Sequence, residues 1–334
     1  MAPRGKYQVM LTKRSVLSLC LVVFWAFCGK TTGARVIKLG HGLPTSHPVH
    51  EAMVFLAERV QEKSGGTLRV DIHPNEQLGT ERECIELLQI GVLGITKVSA
   101  SVLEGFVSSY AVLSLPYIFR DEEHRFAVLD GDVGQRLFLA GESVGLRGLA
   151  YYDAGSRSFY TKDRPVERPT DLRGLKIRTQ ESTLAMRTIR LLGGSATPIA
   201  WGELYTSLQQ GVVDGAENNP PSFYLSRHYE VCKYYSLDEH TSTPDVLLIA
   251  TSVWRSLSSE EQRILRESAM ESTVLQRRLW KKATEEALEG VEAAGVEVLR
   301  PDKGPFVEAV QPIYEEVRAQ PELFELSQQI RAVQ

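Results

Sequence analysis

The stretch LKIRTQESTLAMRTIRLLGGSATPIAWGELYTSLQQGVVDGAENN, residues 175–219, alternates strand-like with helix-like segments. Its short apolar runs, 175–180 and 212–218, are typical of strands. The longer runs 182–194 and 201–211 have the spacing of amphipathic helices. Such alternation favours an α/β layer, and this stretch therefore predicts the core of one lobe of an α/β protein.

Polar side chains occur at turns or strand ends inside these apolar runs. Arg178 ends LKIRTQ, Asn218 ends the segment 212–218, and Arg157 lies in the turn of the preceding GSRSFYT (155–161). A buried charge without a partner is strongly unfavourable, so the pattern indicates a ligand-capture site for an anion. The guanidinium fork of Arg178 suits a carboxylate. The alternatives are an interlobe salt bridge for either arginine and turn capping for Asn218.

An earlier series repeats the alternation. Strand-like VIKLG (36–40) and LRVDIHP (68–74) flank the amphipathic PVHEAMVFLAERVQEK (48–63), and ERECIELLQIG (81–91) precedes ITKVSAS (95–101). This series predicts a first lobe with a parallel sheet. The continuous apolar run DVLLIATSV, residues 245–253, predicts a buried strand that returns to this first sheet.

A long helix is predicted from Ser258 to Ala294. It begins with a capping box between Ser258 and Glu261 and carries an apolar stripe along its length. At about 1.5 Å per residue it would extend roughly 50 Å, which is long enough to cross both lobes. We assign 35–154 plus 244–282 to the first lobe and 155–243 plus 283–334 to the second.

Composition excludes several classes of function. The chain has 334 residues, 43% hydrophobic content and a net charge of -4, with Lys and Arg evenly scattered. No basic stripe or charged tail points to a nucleic acid or a membrane surface. The sequence has no phosphate loop, dinucleotide fingerprint or hydrolase elbow, so we expect no cofactor and no enzymatic activity.

The amino terminus predicts a signal peptide over residues 1–34. Basic residues precede an apolar run, 16–28, that is short for a membrane span, and small residues follow at 32–34. The mature protein would start at Arg35 and be periplasmic. A lipoprotein anchored at Cys28 is the alternative.

Two cysteines remain in the mature chain. Cys84 lies on a predicted helix and Cys232 on a predicted strand, almost 150 residues apart. One disulfide bond is compatible with an oxidising compartment, but two separately buried thiols are favoured. Their spacing matches no zinc or redox motif.

Further candidates for the site come from loops and helix ends. His41, His47 and His50 form H-x5-H-x2-H, but prolines interrupt the segment, so we expect no metal and instead a hydrogen bond from His41 or His47 to a sugar hydroxyl. Glu81 starts a helix, where its carboxylate either interacts favourably with the helix dipole or accepts a hydrogen bond from a sugar hydroxyl. Trp201 would form a flat wall or a core contact.

Most of the mature chain resembles the solute-binding proteins of tripartite ATP-independent periplasmic (TRAP) transporters. The resemblance is carried most specifically by DLRGLKIRTQ and GGSATPIAWGELYTSLQQGVVDGAENNP, and also by HGLPTSHPVH, SLPYIFRDEEH and the long helical tail. It implies a two-lobed periplasmic-binding-protein fold, type II-like, that closes on an organic acid and delivers it to a membrane permease. We expect a monomer.

The resemblance also implies roles for individual residues. Arg178 matches the family's principal carboxylate-binding arginine, Arg157 its second site arginine, Asn218 its asparagine and Trp201 its aromatic wall. Ser99 stands where binders of the sialic-acid type carry a glutamate, which argues against sialic acid.

Segments such as QLGTERECIELLQIG and SLDEHTSTPDVLL look more like the subgroup that binds hexuronates, glucuronate or galacturonate. Arg178 would then hold the carboxylate, and Glu81, Ser99, a histidine and Asp245 or His240 would complete the shell. The alternatives are sialic acid, a C4-dicarboxylate, a 2-oxo acid, a sensor that docks on a receptor, and an enzyme with Glu81 and Asp245 as acid and base.

Overall fold

The computed structural model describes Met1 and residues 33–334. Residues Arg35–Gln334 form one compact unit. The apolar run of the predicted signal peptide and the alternative anchor at Cys28 lie outside the described residues. Within the described residues, no helix combines the length and the apolar character that crossing a membrane requires.

The first sheet has five strands in the order β2-β1-β3-β10-β4. They are β1 Arg35–Gly40, β2 Leu68–His73, β3 Ile95–Ser99, β4 Leu146–Tyr152 and β10 Asp245–Ala250. The predicted return to this sheet is confirmed for residues 245–250, whereas 251–253 belong to the helix that follows. The prediction of a parallel sheet is wrong in part, because β10 is antiparallel to both β3 and β4. Since β10 enters from the second lobe at Asp245, it begins at the edge where β3 ends.

The second sheet has six strands in the order β11-β9-β5-β8-β6-β7. They are β5 Arg157–Thr161, β6 Lys176–Thr179, β7 Ser195–Pro198, β8 Gly215–Asn218, β9 Tyr234–Thr241 and β11 Glu297–Leu299. This sheet is also mixed, since β5 is antiparallel to β8 and β9 whereas β6 pairs in parallel with β7 and β8. We call the parts of the molecule around the two sheets the first and second lobes, and the two-lobed α/β fold is confirmed.

Helices cover both sheets. In the described residues they are α1 Pro48–Lys63, α2 Glu81–Gln89, α3 Ala100–Leu103, α4 Glu122–Asp130, α5 Asp132–Ala140, α6 Thr183–Leu191, α7 Leu204–Gln209, α8 Pro220–Leu225, α9 Thr251–Ser256, α10 Ser259–Ala293, α11 Gly304–Ala309, α12 Gln311–Arg318 and α13 Pro321–Ala332. The last of them, α13, packs against α5 and the short 3₁₀ segment Ser108–Ser114 of the first lobe. The lobe boundaries assigned above stay a prediction.

The long helix α10 joins the two lobes. Its 35 residues begin after Ser258, whose side chain accepts from the Glu261 amide while the Glu261 carboxylate accepts from the Ser258 amide. It packs against α1 and β4 in the first lobe and against α8 in the second. The prediction of a helix that spans both lobes is therefore confirmed.

The two cysteines are free and buried. Cys84 lies on α2 as predicted, whereas Cys232 precedes β9 rather than lying on it. Burial raises the pKa of the Cys84 thiol to about 11 and that of Cys232 to about 12. Both thiols therefore behave as small apolar side chains, which agrees with the favoured interpretation of two separate thiols.

Candidate functional site

A cleft lies where the strand ends of the two sheets face each other. Its lining includes Ser99 at the end of β3, Asp245 at the start of β10, Arg157 at the start of β5 and Asn218 at the end of β8. The lining combines apolar side chains with a few converging polar groups, as is typical of small-molecule sites. The strand ends thus bring together polar side chains from both lobes, as expected for ligand sites in open α/β sheets.

Arg178 is a buried cation that has no anionic partner among residues 33–334. It is only 3% exposed, and its Nε donates to the carbonyl oxygen of Ile199 at 2.9 Å. Its Nη1 is buried and has no hydrogen-bond partner among the described residues, and none of their carboxylates lies within ion-pair distance. Burial lowers the pKa of Arg178, because the desolvated charge is not compensated. The guanidinium therefore needs an anion from outside the protein.

Arg157 differs from Arg178 because the protein itself supplies its anion. Its Nε and Nη2 donate to the Glu217 carboxylate, and Nη2 also donates to the Glu217 carbonyl oxygen at 2.8 Å. Burial alone would raise the pKa of Glu217, but Arg157 and His240 outweigh it and lower that pKa to about 2. The inference of a missing anion is therefore wrong for Arg157, because β5 and β8 are neighbours and place the two side chains together.

Asn218 completes the Arg157 cluster rather than capping a helix. Its Oδ1 accepts from Arg157 Nη1 at 2.9 Å and from the amide of Asn219 at 2.9 Å. The cap of α8 is instead Asn219, whose side chain accepts from the Ser222 amide. Asn218 is thus oriented by its neighbours at the cleft surface, as a ligand-binding amide requires.

The first-lobe wall is built from two carboxylates around one lysine. Lys97, 4% exposed, donates to Glu81 Oε1 at 2.9 Å and to Asp245 Oδ1 at 3.2 Å. Burial alone would lower the pKa of Lys97, but Asp245 and Glu81 outweigh it and raise that pKa. Burial raises the pKa of Asp245, and Lys97 opposes that shift. The Ser99 amide donates to Glu81 Oε2 at 3.3 Å.

Aromatic side chains and a neutral imidazole complete the lining. Trp201 opens a 3₁₀ turn at the cleft, and the long helix α10 contributes Trp280 to the lining. His47 accepts from the Val49 amide through Nδ1 and lies 3.4 Å from Ser222 Oγ through Nε2. Burial lowers the pKa of His47 well below its usual value, so the ring is neutral and donates through Nε2.

His41 and His240 do not line the cleft, in contrast to the expectation for both. His41 Nε2 lies 3.0 Å from His50 Nδ1, and burial lowers the pKa of His41 to about 3. His240 lies behind the Arg157 cluster, with Nδ1 2.9 Å from Asp238 Oδ2 and Nε2 3.6 Å from Glu217. Burial opposes its charging, but Asp238 and Glu217 outweigh burial and raise the pKa of His240 to about 9. Direct contact of His41 or His240 with the ligand stays a prediction, and this geometry does not favour it.

Metal coordination finds no support in the part of the chain that the structure describes. The histidines of the H-x5-H-x2-H segment contact each other and backbone amides, and no group of three potential ligands forms among the described residues. His47 caps α1 and His41 accepts from the Leu43 amide, so both support the local backbone, and His47 in addition lines the cleft.

Hydrogen bonds cross the cleft from the first lobe to the second. The pairs are Ser99 with Gln180 (3.3 Å), His47 with Ser222 (3.4 Å), Glu76 with the Gly202 amide (3.1 Å), and Glu104 with the Ser182 hydroxyl (2.8 Å) and the Leu184 amide (3.1 Å). Burial raises the pKa of the Glu104 and Glu76 carboxyls. The molecule is therefore in a closed arrangement in which a bound ligand would be largely shielded from water.

Sequence reasoning missed Lys97, Glu217 and Gln180. A signal for Lys97 was present, since it is a lone charge inside the apolar strand ITKVS and had to be paired when that strand was buried. Glu217 gave no such signal, because its partner is 60 residues away in the chain. Gln180 is two residues after Arg178, but nothing in the local sequence distinguishes it from an ordinary residue at a strand end.

Comparison with known proteins supplies the context for this cleft. A family model described as bacterial extracellular solute-binding protein, family 7, matches residues 39–320. A Salmonella typhimurium relative, the uncharacterised protein YiiZ, is 42% identical over 301 residues, which cover 90% of this chain and 92% of the relative.

Solved structures with bound ligands are also similar. A TRAP periplasmic solute-binding protein from a Bradyrhizobium species, in complex with D-galacturonate, has a TM-score of 0.87 and 41% identity, and the match covers 89% of this chain and 99% of that one. One from Chromohalobacter salexigens, with bound D-glucuronate, has a TM-score of 0.87 and 36% identity, covering 89% of this chain and all of its own. The cleft described above therefore lies in a fold that holds acidic sugars in other proteins.

Proposed function

The chain belongs to family 7 of the bacterial extracellular solute-binding proteins, and we propose that it captures a hexuronate, D-glucuronate or D-galacturonate. One observation carries the proposal: Arg178 is a buried guanidinium whose Nη1 has no partner among the described residues, at a cleft where the other buried arginine is already neutralised. A ligand with a single carboxylate supplies the missing anion. The hydroxyls of a sugar ring match the remaining hydrogen-bonding groups.

The geometry supports a specific division of roles. Arg178 binds the carboxylate, with Arg157 and Asn218 beside it on the second-lobe wall. Asp245 and Glu81 accept bonds from ring hydroxyls on the first-lobe wall. Closure of the lobes removes water around the carboxylate, which strengthens the contact with Arg178 as the effective dielectric constant falls. Trp201 offers an apolar face to the ring.

Delivery and location are part of the same proposal. The two-lobed family fold, together with the signal-peptide pattern at 1–34, supports a periplasmic protein that passes its ligand to the membrane permease of a TRAP transporter. We propose that it acts as a monomer. Binding rather than catalysis is favoured because Glu81 and Asp245, the carboxylates able to act as acid and base, both accept from Lys97.

A thermal-shift and calorimetry panel on the mature chain from Arg35 tests the proposal. The ligands are D-glucuronate, D-galacturonate, sialic acid, succinate and a 2-oxo acid, and D-glucose serves as the matched sugar without a carboxylate. A ligand that binds only the folded state raises the unfolding midpoint. At a free ligand concentration of 100 times the dissociation constant, the free energy of unfolding rises by about 2.7 kcal/mol. We expect the two hexuronates to bind and D-glucose to give no shift.

The other outcomes separate the alternatives. Binding of succinate or a 2-oxo acid without the uronates would keep Arg178 as a carboxylate site but reject the sugar. Binding of D-glucose as strong as that of D-glucuronate would reject the role of Arg178 itself. Appearance of a new product from D-glucuronate, followed by chromatography, would favour an enzyme over a binding protein.

A further inference from the structure

The cleft has a charged pole on each wall, and this polarity limits which acids fit. We propose that the Glu81–Lys97–Asp245 triad makes the first-lobe wall an anionic pole that accepts hydroxyls and rejects a second carboxylate, so that the site selects sugar monoacids over sugar diacids. The inference rests on the proposed function, since it assumes that Arg178 holds one carboxylate of an acidic sugar.

Strand geometry places the triad on one face. Side chains two residues apart on a strand point to the same side of a sheet, so Lys97 and Ser99 share a face of β3. Asp245 lies directly opposite Ser99 in the β10–β3 ladder and therefore joins the same face. Glu81, the first residue of α2, approaches from the helix end and contacts Lys97 and the Ser99 amide. All four residues line the cleft.

Counting formal charges on this wall leaves one negative charge. Lys97 balances one of the two carboxylates, and its ammonium is used by both Glu81 and Asp245. The first-lobe histidine at the cleft, His47, is neutral. Glu181 also lines the cleft, but it belongs to the second lobe and is exposed to solvent at the rim, where its charge is screened. The described cleft residues of the first lobe thus offer no unused cation to a second carboxylate.

The second wall has the opposite sign. Arg157 and Glu217 form an ion pair that cancels in formal charge, and the Asp238–His240 pair behind it also cancels. Arg178 remains as the cation without a protein anion among the described residues. A ligand with one carboxylate therefore completes the charge of the second wall, and its other end meets acceptors on the first wall.

A diacid meets a different environment. When one carboxylate of D-glucarate binds Arg178, the other lies toward Glu81 and Asp245. Like charges brought together in a desolvated site cost several kcal/mol, which amounts to about 100-fold or more in affinity. Rejection by repulsion is a usual way in which binding sites obtain specificity. The triad supplies this repulsion and also accepts hydroxyl hydrogen bonds from the correct ligand.

Calorimetry with D-glucuronate and D-glucarate tests the inference in the wild-type chain and two variants. Asp245→Asn and Glu81→Gln each keep the shape and one acceptor oxygen but remove a negative charge, and Asp132→Asn, at an exposed position on α5, is the matched control. We expect D-glucarate to bind at least about 100-fold more weakly than D-glucuronate to the wild type and the control. Each cleft variant should reduce that ratio by about tenfold or more. Two charge-removing variants are used so that, if one of them misfolds, the other still tests the inference.

Each result has a defined meaning. D-glucarate binding within tenfold of D-glucuronate in the wild type would overturn the inference while leaving the proposed function intact. An unchanged ratio in both folded cleft variants would also overturn it, because the open-chain shape of the diacid would then be the cause. No binding of D-glucuronate to the wild type would instead remove the proposed function.

Discussion

The first-lobe wall of the cleft buries Lys97 between two carboxylates, whereas the second-lobe wall buries Arg178 with none. Both side chains lie on buried strands and are almost fully shielded from water. Because desolvation of an unpaired ion costs several kcal/mol, a fold tolerates the second arrangement only where a ligand completes it. The difference between the walls therefore separates charges that maintain the site from the charge that captures the ligand.

The second sheet contains the same contrast between two arginines. Arg157 on β5 donates to Glu217 through two nitrogens, while Arg178 on β6, within residues 33–334, donates only to the carbonyl oxygen of Ile199. The two residues have the same chemistry and nearly the same burial. Substitutions that affect one property of the protein and spare the other will show whether this contrast is functional.

The largest effect is expected from Arg157→Met. Removal of the guanidinium leaves the Glu217 carboxylate buried without its main cation, and breaking such a pair costs about 3–5 kcal/mol of unfolding free energy. Urea denaturation of the ligand-free protein measures the loss. The double variant Arg157→Met/Glu217→Gln should recover part of the stability, because no charge is then left unpaired. Equal stability of Arg157→Met and the wild type would contradict the structural role of this pair.

Arg178→Met should change binding instead of stability. We expect the affinity for D-glucuronate to fall by at least about 100-fold, or about 2.7 kcal/mol, since a charge-assisted contact to the carboxylate is lost. The unfolding free energy of the ligand-free chain should not fall, because the variant removes an uncompensated buried charge.

Isothermal titration and urea denaturation of the same preparation test both halves of this prediction. Arg190→Ala, at an exposed position on α6, serves as the control. Unchanged affinity in Arg178→Met would remove Arg178 from the site, and a stability loss as large as that of Arg157→Met would end the contrast between the two arginines.

His41 of the first lobe and His240 of the second lobe should give opposite pH dependences. The folded pKa of His41 is about 3, below the usual 6.5, so its contribution to stability is present above pH 6.5 and is lost as the pH falls toward 3. The folded pKa of His240 is about 9, so its contribution is present below pH 6.5 and is lost as the pH rises through 9. Between pH 6.5 and 5, His41 alone should account for a loss of about 1.6 kcal/mol.

Unfolding free energies measured from pH 4 to 10 test this difference. His41→Gln should make the acid limb shallower and leave the alkaline limb unchanged, because glutamine does not titrate; the lowered pKa values of His47 and His228 keep part of the acid limb. His240→Gln should act on the alkaline limb. If His41→Gln left the acid limb as steep as in the wild type, the assignment of a neutral buried His41 would be wrong.

A smaller effect is expected from the bonds that cross the cleft. Glu104 accepts from Ser182 and Leu184 of the second lobe, so these bonds join the two lobes in the closed arrangement. Glu104→Ala should weaken D-glucuronate binding by about fivefold, or about 1 kcal/mol, while Glu104→Gln keeps an acceptor and loses less. Calorimetry on both variants measures the difference, and tighter binding by Glu104→Ala would mean that these contacts do not favour closure.

Local sequence signals predicted the elements well. The helix of PVHEAMVFLAERVQEK runs from Pro48 to Lys63, and the long helix begins after Ser258, where the capping box indicated. The apolar run after Asp245 entered the first sheet. These predictions succeeded because caps, periodicity and continuous apolar runs act over a few residues and require no knowledge of distant partners.

Partners far apart in the chain could not be predicted in this way. The antiparallel direction of β10 follows from the path of the chain through the second lobe. The Arg157–Glu217 pair depends on which strands are neighbours, and His240 is excluded from the cleft because Phe159 stacks on it and Asp238 holds it. Strand order and register decide these contacts, and neither can be predicted from a local sequence pattern.

The amino-acid sequence therefore determined the α/β lobes, the bridging helix and the presence of Arg178 at a strand end, because each depends on local backbone preferences and on the cost of burying a charge. The tertiary structure decided which buried charges are satisfied by the protein. It paired Arg157 with Glu217 and Lys97 with Glu81 and Asp245, and it left Arg178 without a protein anion among the described residues. Ion pairing depends on distances of a few ångströms between strands, and those distances exist only after the chain has folded.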